Sequence, residues 1–222
     1  MKVALFDLDE TLLNRSGSLR DFVQWQASKQ LGLNTSDVVQ FTERFIELDQ
    51  EGRVWKNRVY ERLILEFSIK NWSVDDLLQT YVLTFCAFCK RRNGADVAIN
   101  EFKSHGFKIG LVTNGKTPFQ ERNFKGLGFE HLFNCIVVSE AVGIRKPDHA
   151  IFEFACEKVN ADILTSVFVG DNPMTDIKGA KESGMKTIYV PTSEGYEDCI
   201  YADETHTDLS QLIGYVKRHQ YP

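Results

Sequence analysis

Apolar and polar positions along this chain follow two different periods. Val3-Ala4-Leu5-Phe6 is an unbroken apolar run, the pattern of a short strand buried on both faces of a sheet. From Ser18 to Arg92, apolar positions recur at three and four instead, and no strand pattern appears. Ser18 is expected to cap a first helix carrying Leu19, Phe22, Val23 and Ala27, with Gly32 beyond its end. A second helix is expected over 37–50 through Val38, Phe41, Phe45 and Leu48, and a third carries Trp55, Val59, Tyr60, Leu63, Ile64 and Phe67. The fourth has Ser73 as N-cap, Asp75 and Asp76 in its first turn, apolar positions from Leu77 to Cys89, and Lys90-Arg91-Arg92 at its negative end. Four such stripes can cover one another, so residues 16–92 are expected to form a small inserted all-helical domain.

Beyond residue 92 the pattern alternates. Strands are expected at 108–112, 135–138, 167–169 and 187–190, separated by helices around Ile99, Phe152 and Ile177 and followed by a last helix from Leu209. Thr117, Pro118 and Gln120 read as the N-cap, first-turn proline and capping-box partner of one more helix, ending at Gly128. Asp148 is placed as the cap of the helix carrying Ile151 and Phe152. This alternation implies an α/β class with a doubly wound parallel sheet, built from residues 1–15 and 93–222.

Composition narrows the function classes. With 222 residues, 43% hydrophobic and 26% charged, the chain is ordinary globular material. Its 26 basic and 31 acidic residues give a formal charge of -5, and the only basic block is Lys90-Arg91-Arg92. Nucleic acid binding by phosphate neutralisation is therefore not expected. No run of about eighteen apolar residues occurs, as a membrane-spanning helix would need, and the sequence opens on strand rather than on a charged leader. A cytoplasmic protein without a membrane partner is expected, with either a monomer or a homodimer compatible. Five cysteines, an odd number scattered through helix and strand patterns, favour reduced thiols over a disulfide framework. Cys86 and Cys89 form a lone CxxC with no second pair, which favours a packing role.

Candidate chemistry lies where the strands stop. The first strand ends at Asp7 and Asp9, the second at Thr113, the fourth at Asp171 with Asp176 following, and Lys146 falls between the third and fourth. In a parallel sheet those carboxyl ends share one edge, where ligands bind. Four carboxylates meeting there repel one another unless a cation intervenes. Mg²⁺ fits an all-oxygen donor set better than zinc, because no histidine or cysteine sits at these ends. Such a set suits phosphoryl transfer, with Asp7 as nucleophile and Asp9 as the acid and base. Thr113, Lys146 and the backbone N–H groups of Leu8, Asp9 and Asn114 would hold the phosphoryl oxygens.

These residues resemble a known family. Asp7-Leu8-Asp9-Glu10-Thr11 is similar to the DxDxT motif of the haloacid dehalogenase superfamily, and Leu111-Val112-Thr113-Asn114-Gly115, Arg145-Lys146-Pro147-Asp148 and Gly170-Asp171 with Asp176 resemble its other three motifs. The resemblance implies a Rossmann-like core and a helical cap that selects the substrate. It implies Mg²⁺ ligation by Asp7, the Asp9 main-chain carbonyl and Asp171, with Thr11 in support and Asp176 either supporting the metal or orienting the lysine. The activity implied is a Mg²⁺-dependent phosphatase acting on a small phosphorylated metabolite, such as a nucleotide or sugar phosphate. Where many members carry glycine before the threonine, this chain has Glu10.

A hexose phosphomutase of the same superfamily is the nearest rival, returning the phosphoryl group to sugar. A dehalogenase would not need Asp9, and a receiver-like phosphate-binding module would lack the helical insert. Arg53, Lys56 and Arg58 in the insert read as a solvated helix face, with contact to an anionic substrate as the alternative.

Overall fold

In the computed structural model of the chain, which describes residues 1–192 and 198–218, the opening apolar run is β1 (Val3–Phe6), buried at every position. The chain divides into two units, Arg15–Lys90 and Met1–Asn14 with Arg91–Pro222.

The first of these is helical, with α1 (Arg15–Trp25), α2 (Thr35–Asp49), α3 (Lys56–Glu66) and α4 (Val74–Thr84). Its interior is aromatic: Phe41 meets Phe67 edge-on at 5.1 Å and Phe45 meets Tyr60 at 5.5 Å between ring centroids. Each such buried ring contributes roughly 1.5–3 kcal/mol by leaving water. Asn34 caps α2, its side chain accepting from the Asp37 N–H at 3.0 Å. Ser73 caps α4 in a reciprocal box with Asp76.

Two expectations fail here. Helix α4 stops at Thr84 and tightens into a 3-10 turn over Phe85–Phe88, so Lys90-Arg91-Arg92 are not its last turn. Residues three apart lie on one side of a 3-10 turn, and Phe85 and Phe88 both pack edge-on against Phe22, at 5.9 and 5.5 Å. Ser18, in turn, is no cap. It is buried inside α1, where its hydroxyl accepts from the Lys90 N–H at 2.9 Å and fixes the exit of the chain from the unit.

Arg53, which lies between helices, and Arg58 of α3 are exposed beside Glu51 and Glu61, and the solvated-face reading holds for Arg58. It fails for Lys56. That side chain is only 2% exposed and pairs with buried Asp49, whose other oxygen takes Arg15 at 2.8 Å.

The second unit contains α5 (Ala95–Ser104), β2 (Lys108–Thr113), α6 (Phe119–Gly126), β3 (Cys135–Val138), α7 (Ser139–Val142) and α8 (His149–Lys158). It continues with β4 (Val167–Gly170), α9 (Gly179–Glu182), β5 (Lys186–Tyr189), β6 (Glu204–Thr205) and α10 (Leu212–Arg218). Among the described residues the strands form one parallel sheet in the order β3-β2-β1-β4-β5-β6. This is the doubly wound α/β class that the alternation implies. β6, with two residues, is too short to show a periodic pattern.

Alternation along β1 explains the two helical layers. Val3 and Leu5 join a core with Phe152, Ala155 and Cys156 of α8, whereas Phe6 meets Phe102 of α5 at 5.8 Å. Side chains of one strand thus feed both faces. The chain enters this unit through an antiparallel bridge between Leu13 and Arg91 and a bond from the Arg92 N–H to the Leu12 carbonyl at 2.8 Å. No helix among the described residues is long and apolar enough to cross a membrane, and all the cysteines are free thiols.

Candidate active site

Strands β1 and β4 are hydrogen-bonded neighbours, so the residues that follow them emerge side by side. Asp7 donates its N–H to the Val169 carbonyl at 3.0 Å, which carries the β1–β4 pairing one residue past the strand. Ligand atoms of Asp7, Asp171 and Asp176 all lie within 4.8 Å of one another. Lys146, only 2% exposed, reaches between two of them, with Nζ 2.5 Å from Asp7 Oδ1 and 2.7 Å from Asp176 Oδ1.

Each group is held from behind. Asn114 grips the Lys146 backbone twice, accepting its N–H at 2.9 Å and donating to its carbonyl at 3.0 Å. Thr11 donates its hydroxyl to Asp171 at 3.3 Å. Asp176 accepts the Asn172 N–H at 3.2 Å. Gly170 is required by closeness, since a Cβ there would stand 2.6 Å from the Asp176 side chain.

Gln120 corrects the sequence reading. Helix α6 begins at Phe119 with no side-chain cap, and the Thr117 hydroxyl goes to Glu121 at 2.5 Å. The Gln120 amide turns inward instead, donating to Asp9 Oδ2 at 2.7 Å and to Thr113 Oγ1 at 3.0 Å. Among the described residues, Asp9 and Thr113 are thereby tied together, while Leu8 is buried beside them in sequence with its carbonyl accepting from Thr11, Leu12 and Leu13. No local signal distinguishes this glutamine from a capping partner, because its acceptors lie at the ends of β1 and β2, outside its own helix.

Burial and crowding dominate the electrostatics. Burial pushes Asp7 up to about 7; Lys146 opposes the rise, and the charges of Asp176 and Asp9 add to it. Burial likewise raises Asp171 well above the usual carboxylate range, with Asp176 and Asp7 contributing. For Lys146, burial pulls downward, but Asp176 and Asp7 together hold it above its ordinary value. One buried ammonium thus leaves three converging carboxylates under-neutralised, an all-oxygen set that fits a hard divalent cation.

The family model for haloacid dehalogenase-like hydrolases matches residues 4–190. The chain belongs to this family of hydrolases. Among haloacid dehalogenase relatives, a glyceraldehyde 3-phosphate phosphatase of Methanocaldococcus jannaschii is 26% identical over 98% of this chain and 97% of its own. A phosphoserine phosphatase of Thermus thermophilus is 32% identical over 47% of this chain and 42% of its own. In fold, the chain is similar to a Bacillus subtilis HAD-hydrolase solved with magnesium, at a TM-score of 0.73 and 21% identity over 97% and 98% of the two chains.

Glu10, the departure from the family's first motif, takes a left-handed backbone with φ of 58°. That region favours glycine. Here the conformation is held from outside: the Glu10 N–H donates to Leu13 at 2.8 Å, and the Arg92 guanidinium donates to the Glu10 and Val190 carbonyls.

Proposed function

We propose that this hydrolase is a Mg²⁺-dependent phosphatase of small phosphorylated metabolites, working through an aspartyl phosphate on Asp7. The observation that carries it is the Lys146 ammonium held between Asp7 and Asp176, with Asp171 in the same cluster. Asp7, Asp171 and the Asp9 main-chain carbonyl would hold the ion, with Asp176 and Thr11 in support. When bound, Mg²⁺ neutralises these carboxylates and the phosphoryl oxygens.

In the first step an Asp7 oxygen bonds to phosphorus as the ester P–O bond breaks. The leaving oxygen keeps the electron pair and takes a proton from Asp9. In the second, water bonds to phosphorus, the Asp7–phosphorus bond breaks, and Asp9 takes the water's proton. Thr113, Lys146 and the N–H groups of Leu8, Asp9 and Asn114 hold the phosphoryl oxygens throughout. The unit Arg15–Lys90 is assigned the role of substrate-selecting cap, and the phosphatase names of the relatives favour hydrolysis over phosphoryl return to sugar.

A panel including glyceraldehyde 3-phosphate and phosphoserine tests this by continuous phosphate release. Many turnovers per protein are expected with Mg²⁺ and background release with a chelator; one equivalent of label without turnover would contradict a phosphatase.

The raised Asp7 also makes a stability prediction. An acid that binds its proton more tightly when folded contributes stability present below 3.8 and lost as pH rises through about 7. Relative to Asp7→Asn, chelator-treated wild type is therefore expected to lose melting temperature across that window, and Mg²⁺ to restore it above the window. Melts with and without the ion check both, and a pH-independent difference would exclude the effect.

A further inference from the structure

Gln120 has no part in the four motifs, yet it is 3% exposed and touches two of their side chains. We propose that it is a positioning residue: its amide decides which oxygen of Asp9 carries the transferable proton and which way the Thr113 hydroxyl points. The assignment rests on the phosphatase reading above.

The amide has two hydrogens. One goes to Asp9 Oδ2 at 2.7 Å and the other to Thr113 Oγ1 at 3.0 Å, while the Asn114 carbonyl lies at 3.5 Å. An ionised carboxyl oxygen, or the unprotonated oxygen of the acid, accepts only, so the nitrogen side faces Asp9 Oδ2. On the far side Asn123, itself 1% exposed, donates its amide to Gln120 Oε1 at 3.3 Å. Gly115 leaves room for the pose: a Cβ there would stand 2.6 Å from Gln120 Cγ.

Two consequences follow for the reaction. With Asp9 Oδ2 engaged as an acceptor, the proton destined for the leaving oxygen sits on Oδ1. Thr113 Oγ1 spends a lone pair on Gln120, so its own hydrogen is free to meet a phosphoryl oxygen. One amide therefore aligns the acid and a phosphate donor.

The test compares phenyl phosphate with p-nitrophenyl phosphate. They share the aryl phosphate framework, but p-nitrophenolate delocalises its charge and departs without a proton. kcat/KM reports only steps up to leaving-group departure, which separates the acid role of Asp9 from its later base role. Gln120→Leu is expected to lower kcat/KM about tenfold further for phenyl phosphate than for p-nitrophenyl phosphate. Gln120→Glu keeps the shape: protonated, it donates as glutamine does; ionised, it repels Asp9. Its activity is expected to approach wild type at acid pH and to fall at alkaline pH more steeply than wild type. Equal losses on both substrates, with unchanged pH profiles, would overturn the positioning role. Wild type cleaving neither ester in Mg²⁺ would overturn the phosphatase reading itself.

Discussion

Asp7→Asn is expected to lower the rate of phosphate release by at least about 10⁴-fold, the scale on which removal of a nucleophile acts, while the protein stays folded. An amide has nearly the shape of the carboxylate but is a far weaker nucleophile, and it brings no charge to a cation. The fold should tolerate it because Lys146 keeps Asp176 at 2.7 Å. Because burial already favours a proton on Asp7, exchange for a neutral side chain removes little favourable charge. Steady-state phosphate release and circular dichroism together check this. A folded variant with wild-type turnover would remove Asp7 from the chemistry.

Lys146→Met is expected to cost about 3–5 kcal/mol of stability at neutral pH, the usual penalty for stripping one partner from a buried ion pair, and to abolish turnover. Methionine replaces the stem but not the ammonium. Asp7, Asp171 and Asp176 would then face one another within 4.8 Å with their counter-charge gone. Urea unfolding at several pH values reads the cost. The deficit should shrink toward acid pH, where the carboxylates are neutralised by protons, and Mg²⁺ should recover part of it. A deficit equal at every pH would mean that lost packing, rather than charge, destabilises the variant.

Several local signals were read as the structure has them. β1 is a run of four apolar residues that needs no partner to be recognised, and the acids beyond it announce a polar sheet edge. Ser73 with Asp76 and Asp148 with the Ala150 N–H are caps whose donors lie two or three residues away.

Three side chains broke the local rules because partners outside their own helical turn outweighed the nearest ones. Ser18 resembles an N-cap, but its hydroxyl serves Lys90, 72 residues on. Lys56 resembles a solvated helix residue, but buried Asp49 takes it inside. Gln120 completes a capping-box pattern, yet its amide goes to Asp9 across 111 positions.

The order of elements, the parallel sheet and the chemical types at its edge were thus determined by the sequence alone, through periodicity and strand ends. Only the tertiary structure decided which carboxylates share Lys146, that Glu10 takes a left-handed turn under Arg92, and that Gln120 joins Asp9 to Thr113. Periodicity reports which face a residue presents. A hydrogen bond or ion pair also needs a partner within about 3 Å, and for these groups the partner arrives only when the strands assemble.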